Sequence, residues 1–245
     1  MFTYLDTPWQ RYWLIILLAV WAILLFGGFI FGRGDTTRRM PTWTRITSSF
    51  VLVIAAWSWF AFTLETQVAH FALLIALGMS LGFAGDLFMA GLLPGGRSVI
   101  GGMAAFGLGH ILYISAILTV GNQLGLNADV PRWSALVAWL IIGALGWYFV
   151  VFRSQRATTL HWAALPYALL LAGTAGLATG LALQATVFVP LATGAVLFLL
   201  SDLILAAELF NNARFPFIGD VVWLTYGPAQ ALILYAVGAV YAFLI

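Results

Sequence analysis

The sequence predicts an all-α integral membrane protein with eight transmembrane helices. Of its 245 residues, 63% are hydrophobic and only 7% are charged, whereas a soluble domain carries roughly 25% charged residues. The apolar residues run along the whole chain, and each membrane crossing needs about 20 of them. The length therefore allows about eight spans joined by short loops. We predict one transmembrane domain over residues 1–245, with no separate extramembrane domain.

Each predicted span is an apolar stretch bounded by Arg, Pro, Asn or Gly, which are common at helix ends and in loops. The spans lie near residues 12–31, 46–63, 68–91, 101–120, 133–152, 161–183, 188–209 and 220–244. The first stretch has spanning length, and no small-residue cleavage site follows it. We therefore expect it to be a retained helix and not a signal peptide.

The positive charges predict the orientation in the membrane. All ten are arginines, and eight of them fall in the first, third, fifth and seventh loops: Arg33, Arg38, Arg39, Arg45, Arg97, Arg153, Arg156 and Arg214. Arg11 in the N-terminal tail and Arg132 in the fourth loop lie on the other side. The positive-inside rule then places both termini outside the cytoplasm. An anionic-lipid site between Arg33 and Arg45 is the alternative reading of that cluster.

Composition excludes several classes of function. The net charge of +2 comes from arginines that fit a topology signal, so it predicts no nucleic-acid partner. The chain has no cysteine, which excludes disulfides, thiolate metal sites and cysteine nucleophiles. No serine lies in an elbow motif with triad partners, so a serine hydrolase has little support. We expect the protein to lie in the bacterial inner (plasma) membrane, in contact with membrane lipids.

A short motif occurs twice. The DLFMA segment that begins at Asp86 resembles the DLILA segment that begins at Asp202, and each lies near the end of a span. His110 follows Asp86 by 24 residues, and Tyr226 follows Asp202 by 24 residues. This register favours two parallel four-helix repeats, although coincidence is the alternative. The repeat halves are residues 1–125 and 126–245.

Two aspartates inside spans are the strongest functional candidates. A charged side chain deep in hydrocarbon costs about 2.5 to 3.5 kcal/mol, so Asp86 and Asp202 are predicted catalytic residues. Polar and aromatic residues at similar depth are predicted to bind or orient a substrate: Phe106, His110, Tyr113, Ser201, Tyr226 and Gln230. Glu208 is a weaker candidate near the cytoplasmic end. The alternative for all of them is a buried hydrogen-bond network that only fixes helix packing.

The sequence predicts no bound metal and no other cofactor. Its three histidines lie at three different heights in the membrane, which does not suit one metal site. His110 together with the two aspartates would be an admissible set of zinc ligands, so a metal stays the less favoured alternative.

Motifs in spans three, four, seven and eight resemble the YhhN-like lysoplasmalogenase family. They are Gly85-Asp86, Phe106 with His110 and Tyr113, Gly194 with Phe198, Ser201-Asp202, Leu205-Ala206, Phe210, and Thr225-Tyr226 with Gln230. The resemblance covers residues 73 to 235 or so. It implies an enzyme that uses water to hydrolyse the vinyl ether bond of a lysophospholipid, lysoplasmenyl ethanolamine or choline. The products are a fatty aldehyde and a glycerophospho-base.

The residues suit that chemistry, because vinyl ether cleavage needs a proton donor and a nearby anion. Asp86 and Asp202 can divide these two roles, and the sequence leaves open which is which. Three alternatives remain at this point. Paired intramembrane acids also occur in proton-coupled or lipid transporters. The chain could bind lysolipid without consuming it, or it could cleave a different lipid with the same acid pair.

Overall fold

A computed structural model describes residues 7–153 and 157–244 as a bundle of α-helices. The helices are α1 Pro8–Phe31, α2 Thr42–Phe62, α3 Ala69–Ala90, α4 Val99–Gln123, α5 Asp129–Gly146, α6 Thr159–Ala182, α7 Val189–Asn211 and α8 Ile218–Leu244. A π-helical segment, Trp147–Phe152, continues α5, and a 3-10 turn, Thr186–Phe188, precedes α7. The described residues contain eight helical segments that are long and apolar enough to cross a membrane. The predicted fold class is confirmed.

Helices begin earlier than predicted where an arginine precedes the apolar stretch. Arg11, Arg45 and Arg132 lie in the first turns of α1, α2 and α5, and not in the tail or loops to which the sequence assigned them. A helix can continue past the hydrocarbon into the polar headgroup layer, where a long arginine side chain reaches water or phosphate. Arg156, which was assigned to the fifth loop, lies outside the described residues.

The helices pack most closely in four consecutive pairs, each of which forms a hairpin: α1 with α2, α3 with α4, α5 with α6 and α7 with α8. Helix α8 also contacts α1, α2 and α3, so it lies at the centre of the bundle. Helices α1 and α5 present most of their residues outwards. The two hairpins that carry the repeated motif are both tightly packed, while the division into two repeat halves stays a prediction.

Glycine permits the closest of these helix contacts. A Cβ atom on Gly194 of α7 would lie 2.7 Å from the backbone carbonyl oxygen of Ala229 on α8. A Cβ atom on Gly176 of α6 would lie 2.7 Å from Cα of Leu136 on α5. Backbone atoms cannot move aside as a side chain can, so both hairpins need a residue without a side chain at these points.

The loop between α1 and α2 is fastened to the start of α8. Asp220 accepts hydrogen bonds from the backbone N–H groups of Arg39, at 2.6 Å, and Met40, at 2.9 Å. Within the same loop, hydrogen bonds from the hydroxyl and amide of Thr37 hold the pKa of Asp35 below its usual value. These contacts give the loop a defined shape at the arginine-rich end of the bundle.

Candidate active site

Asp86 and Asp202 line the same cavity, which has a volume of about 220 Å³. Its walls come from the C-terminal ends of α3 and α7, the N-terminal ends of α2, α4 and α8, and the loops that join α1 to α2 and α3 to α4. All of these lie at the arginine-rich end of the bundle. The structure therefore brings the two predicted catalytic acids to one space, although they are 116 positions apart in sequence.

Hydrogen bonds from two neighbouring helices hold Asp86. Its side chain is only 4% exposed, and its Oδ2 atom accepts hydrogen bonds from the hydroxyls of Ser49 on α2 and Tyr226 on α8. The distance from the Tyr226 hydroxyl is 3.1 Å. Hydrogen bonds of this kind offset the free-energy cost of removing a carboxylate from water.

Two further residues extend this network away from the cavity. Gln230 donates from Nε2 to the hydroxyl of Tyr226, at 2.9 Å, and accepts at Oε1 from the hydroxyl of Tyr113, at 3.1 Å. Tyr113 and Gln230 are both buried and do not line the cavity. They reach Asp86 only through Tyr226, so their position suits orienting that hydroxyl.

Asp202 has a different environment. Its Oδ2 atom accepts a hydrogen bond from the hydroxyl of Tyr167 on α6. Asp202 also lines a second, apolar pocket of about 70 Å³ between α4, α6 and α7. Met89, Phe106 and Leu205 line both spaces, so the apolar pocket directly adjoins the polar cavity. Asp202 thus lies where polar surroundings change to apolar ones.

The other predicted site residues form two groups, those that line the cavity and those that lie behind its wall. The first group consists of Phe106, Ser201, Glu208 and Tyr226. Ser201 donates its hydroxyl hydrogen to the carbonyl oxygen of Val222, at 3.0 Å, and so ties α7 to α8.

His110 lies behind the cavity wall and does not line it. Its Nδ1 atom is 2.9 Å from the hydroxyl oxygen of Thr174 on α6. Its ring packs edge to face on Phe198, with 4.5 Å between the ring centroids, and Phe106 and Tyr226 pack on the same phenylalanine. The position of His110 suits a role in holding this aromatic cluster together.

The sequence analysis does not identify Ser49 and Tyr167, which donate hydrogen bonds to the two acids. A buried carboxylate needs a donor, and this need alone points to a Ser, Thr or Tyr in an adjacent span. Spans two and six contain several such residues, so the choice depends on which helices become neighbours. The sequence favours a topology signal for the arginines of the first and third loops, with an anionic-lipid site between Arg33 and Arg45 as the alternative. In the structure, Arg38, Arg45 and Arg97 line the cavity.

The arrangement of His, Asp and Glu side chains bears on whether the protein could hold a metal ion. Within residues 7–153 and 157–244, no group of three or more His, Asp or Glu side chains is arranged to hold a metal ion.

A comparison with protein families matches residues 40–237 to the YhhN family. The matched region covers well over half of the chain and contains both acids, all of α2 to α7 and most of α8. No curated protein and no solved structure matches the chain. The family match confirms the resemblance drawn from the motifs, and it extends further towards the N-terminus than those motifs do.

Proposed function

Since this chain belongs to the YhhN family, we propose that it is a membrane-embedded lysoplasmalogenase. It hydrolyses the vinyl ether bond of lysoplasmenyl ethanolamine or choline and releases a fatty aldehyde and a glycerophospho-base. The observation that carries the proposal is the placement of Asp86 and Asp202 on one cavity that adjoins an apolar pocket. A lysolipid has the matching form, with a polar head, a reactive bond and an apolar chain in that order.

The reaction needs both members of an acid pair. An acid first protonates the vinyl carbon distal to the ether oxygen, and the electrons of the double bond form the new C–H bond. The resulting oxocarbenium ion is stabilised by a nearby carboxylate. Water then adds to the carbon next to oxygen and gives up a proton to a base. In the hemiacetal that forms, the hydroxyl loses its proton and its C–O bond becomes the aldehyde carbonyl. The bond to the glycerol oxygen breaks at the same time, and that oxygen takes a proton and leaves as the alcohol.

The surroundings of the acids favour one division of roles. Asp202 borders the apolar pocket, where the first carbons of the alkenyl chain would lie, so it is the proton donor. Asp86 accepts hydrogen bonds from Ser49 and Tyr226, and such bonds stabilise a carboxylate in its charged form. Asp86 therefore stabilises the cation and accepts the proton of water. This division resembles the use of two carboxyl groups by glycosidases.

The hydrocarbon chain has a path to the lipid. Met103 and Tyr167 line both the apolar pocket and an open groove of about 410 Å³ between α4 and α6. Ile100, Leu108 and Ile111 in this groove are 58%, 53% and 46% exposed, so they face the bilayer. An alkenyl chain that is too long for the inner pocket of about 70 Å³ extends along this groove into the lipid.

 

The test is aldehyde release by purified protein in detergent. With lysoplasmenyl ethanolamine we expect stoichiometric fatty aldehyde, and with the saturated 1-O-alkyl lysolipid we expect none, because it has no double bond to protonate. No aldehyde from folded, monodisperse protein would contradict the proposal. Uptake of the same lipid into proteoliposomes without aldehyde would then favour the transporter alternative.

A further inference from the structure

Three arginines face the same cavity as the two acids. Arg38 lies in the loop between α1 and α2, Arg45 in the first turn of α2, and Arg97 in the loop between α3 and α4. Arg45 is buried, Arg38 is half-buried and Arg97 is exposed. They therefore lead from the rim of the cavity inwards.

Arg45 is held in place, yet part of its guanidinium has no partner. Its side chain is only 7% exposed. It donates from Nη2 to the hydroxyl of Thr42, at 2.9 Å, and its Cζ atom lies 5.4 Å from the centre of the Trp223 ring. Its buried Nε atom has no hydrogen-bond partner. A buried cationic donor of this kind is costly unless an anion completes its hydrogen bonds.

Arg38 approaches the same space through a gap that a glycine provides. A Cβ atom on Gly219 would lie 2.6 Å from Nε of Arg38, and this Nε atom is also buried without a partner. Arg38 and Arg45 are close enough to repel each other. The attachment of the loop to Asp220 holds them together despite this repulsion.

Asp220 and Asp86 attract Arg45 electrostatically, but their oxygens accept hydrogen bonds from other groups. Asp220 accepts the two backbone N–H groups of the loop, and Asp86 accepts the hydroxyls of Ser49 and Tyr226. Arg38 and Arg45 both line the cavity, and a guanidinium matches the oxygens of a phosphate with paired hydrogen bonds.

We propose that Arg38, Arg45 and Arg97 bind the phosphodiester of the lysophospholipid head group. This inference rests on the proposed function and assigns the contacts of the polar head group of the same substrate. With the phosphate at the arginine-lined end of the cavity, the glycerol unit crosses the polar cavity, the vinyl ether lies between Asp86 and Asp202, and the chain enters the apolar pocket. The arginines therefore fix how deep the substrate lies.

The test measures binding and not turnover. The ligands are a non-cleavable 1-O-alkyl lysophosphoethanolamine and 1-O-alkylglycerol, which has the same chain and no phosphate. We expect Arg45→Gln and Arg38→Gln each to weaken binding of the phosphate ligand about tenfold or more, and to leave binding of alkylglycerol unchanged. Arg33→Gln and Arg214→Gln are matched controls, because these exposed arginines share the same end of the bundle and do not line the cavity.

Several outcomes would overturn the inference. Unchanged Kd for the phosphate ligand in Arg38→Gln and Arg45→Gln would do so, as would an equal loss in the two control variants. If a diacyl phospholipid binds with the same Kd as the phosphate ligand, and its binding also depends on Arg45, then the arginines form a site for a bilayer lipid and not for the substrate. If Arg45→Gln does not fold, Arg38→Gln in the loop decides alone. Phosphate-dependent binding without aldehyde release would contradict only the proposed hydrolase.

Discussion

Tyr226 on α8 donates a hydrogen bond to Asp86 on α3, with 3.1 Å between its hydroxyl oxygen and Oδ2. Gln230 fixes the orientation of this hydroxyl from one turn further along α8. The central helix of the bundle is thereby connected to one acid, while the second acid depends on α6 through Tyr167. The two carboxyl groups share a cavity and have separate supports.

The network behind Asp86 predicts a graded response to substitution. Tyr226→Phe removes a donor from the carboxylate, and we expect kcat to fall about tenfold or more. Gln230→Met removes the donor that orients the Tyr226 hydroxyl but leaves the hydrogen bond from that hydroxyl to Asp86. Its effect is therefore smaller, and Tyr113→Phe has the smallest effect. Steady-state kinetics at saturating lipid measures the order. A loss in Tyr113→Phe as large as that in Tyr226→Phe would contradict it.

Tyr167→Phe tests the support of Asp202. The ring keeps its place in the pocket wall and only the donor is lost, so we expect kcat to fall about tenfold with KM little changed. Tyr148→Phe is the control, because Tyr148 is 44% exposed and lies outside both the cavity and the apolar pocket. Equal kinetics in Tyr167→Phe and wild type would exclude a role for this hydroxyl.

The apolar pocket predicts chain selectivity. Ala164 is buried in its wall, so Ala164→Leu fills space that the alkenyl chain would occupy. We expect KM to rise several-fold for long alkenyl chains and less for short ones, since each buried methylene group contributes about 0.8 kcal/mol. Ala138→Leu on the outward face of α5 is the control. A uniform change in KM for all chain lengths would place the chain elsewhere.

The orientation can be tested because the chain has no cysteine of its own. We expect Ala128→Cys, in the loop between α4 and α5, to react with a membrane-impermeant maleimide in intact spheroplasts. Pro94→Cys, between α3 and α4, is expected to react only after lysis. Both positions are exposed. The opposite labelling pattern would reverse the predicted topology.

The sequence predicted the helices well because hydrophobic length is a strong signal in a membrane protein. The errors at Arg11, Arg45 and Arg132 have one cause, which is that a charged residue ends an apolar stretch without ending a helix. Such a helix simply continues into the headgroup layer.

The two acids could be found in the sequence because a carboxyl group inside a span is rare and costly. Their partners could not be found in the same way. Ser49 and Tyr167 become donors only because α2 and α6 pack beside α3 and α7. In the sequence, Arg45 is one of several arginines near the first loop and fits a topology signal. Its position on the cavity becomes visible only once the loop and α2 are folded.

The most direct test of the account compares aldehyde release from lysoplasmenyl ethanolamine by wild type, Asp86→Asn and Asp202→Asn at equal amounts of folded protein. Asparagine keeps the size of the side chain and cannot exchange a proton as a carboxyl group does. We predict aldehyde from wild type and a loss of roughly a thousandfold in each variant. Normal turnover in either variant would contradict the assignment of the acid pair.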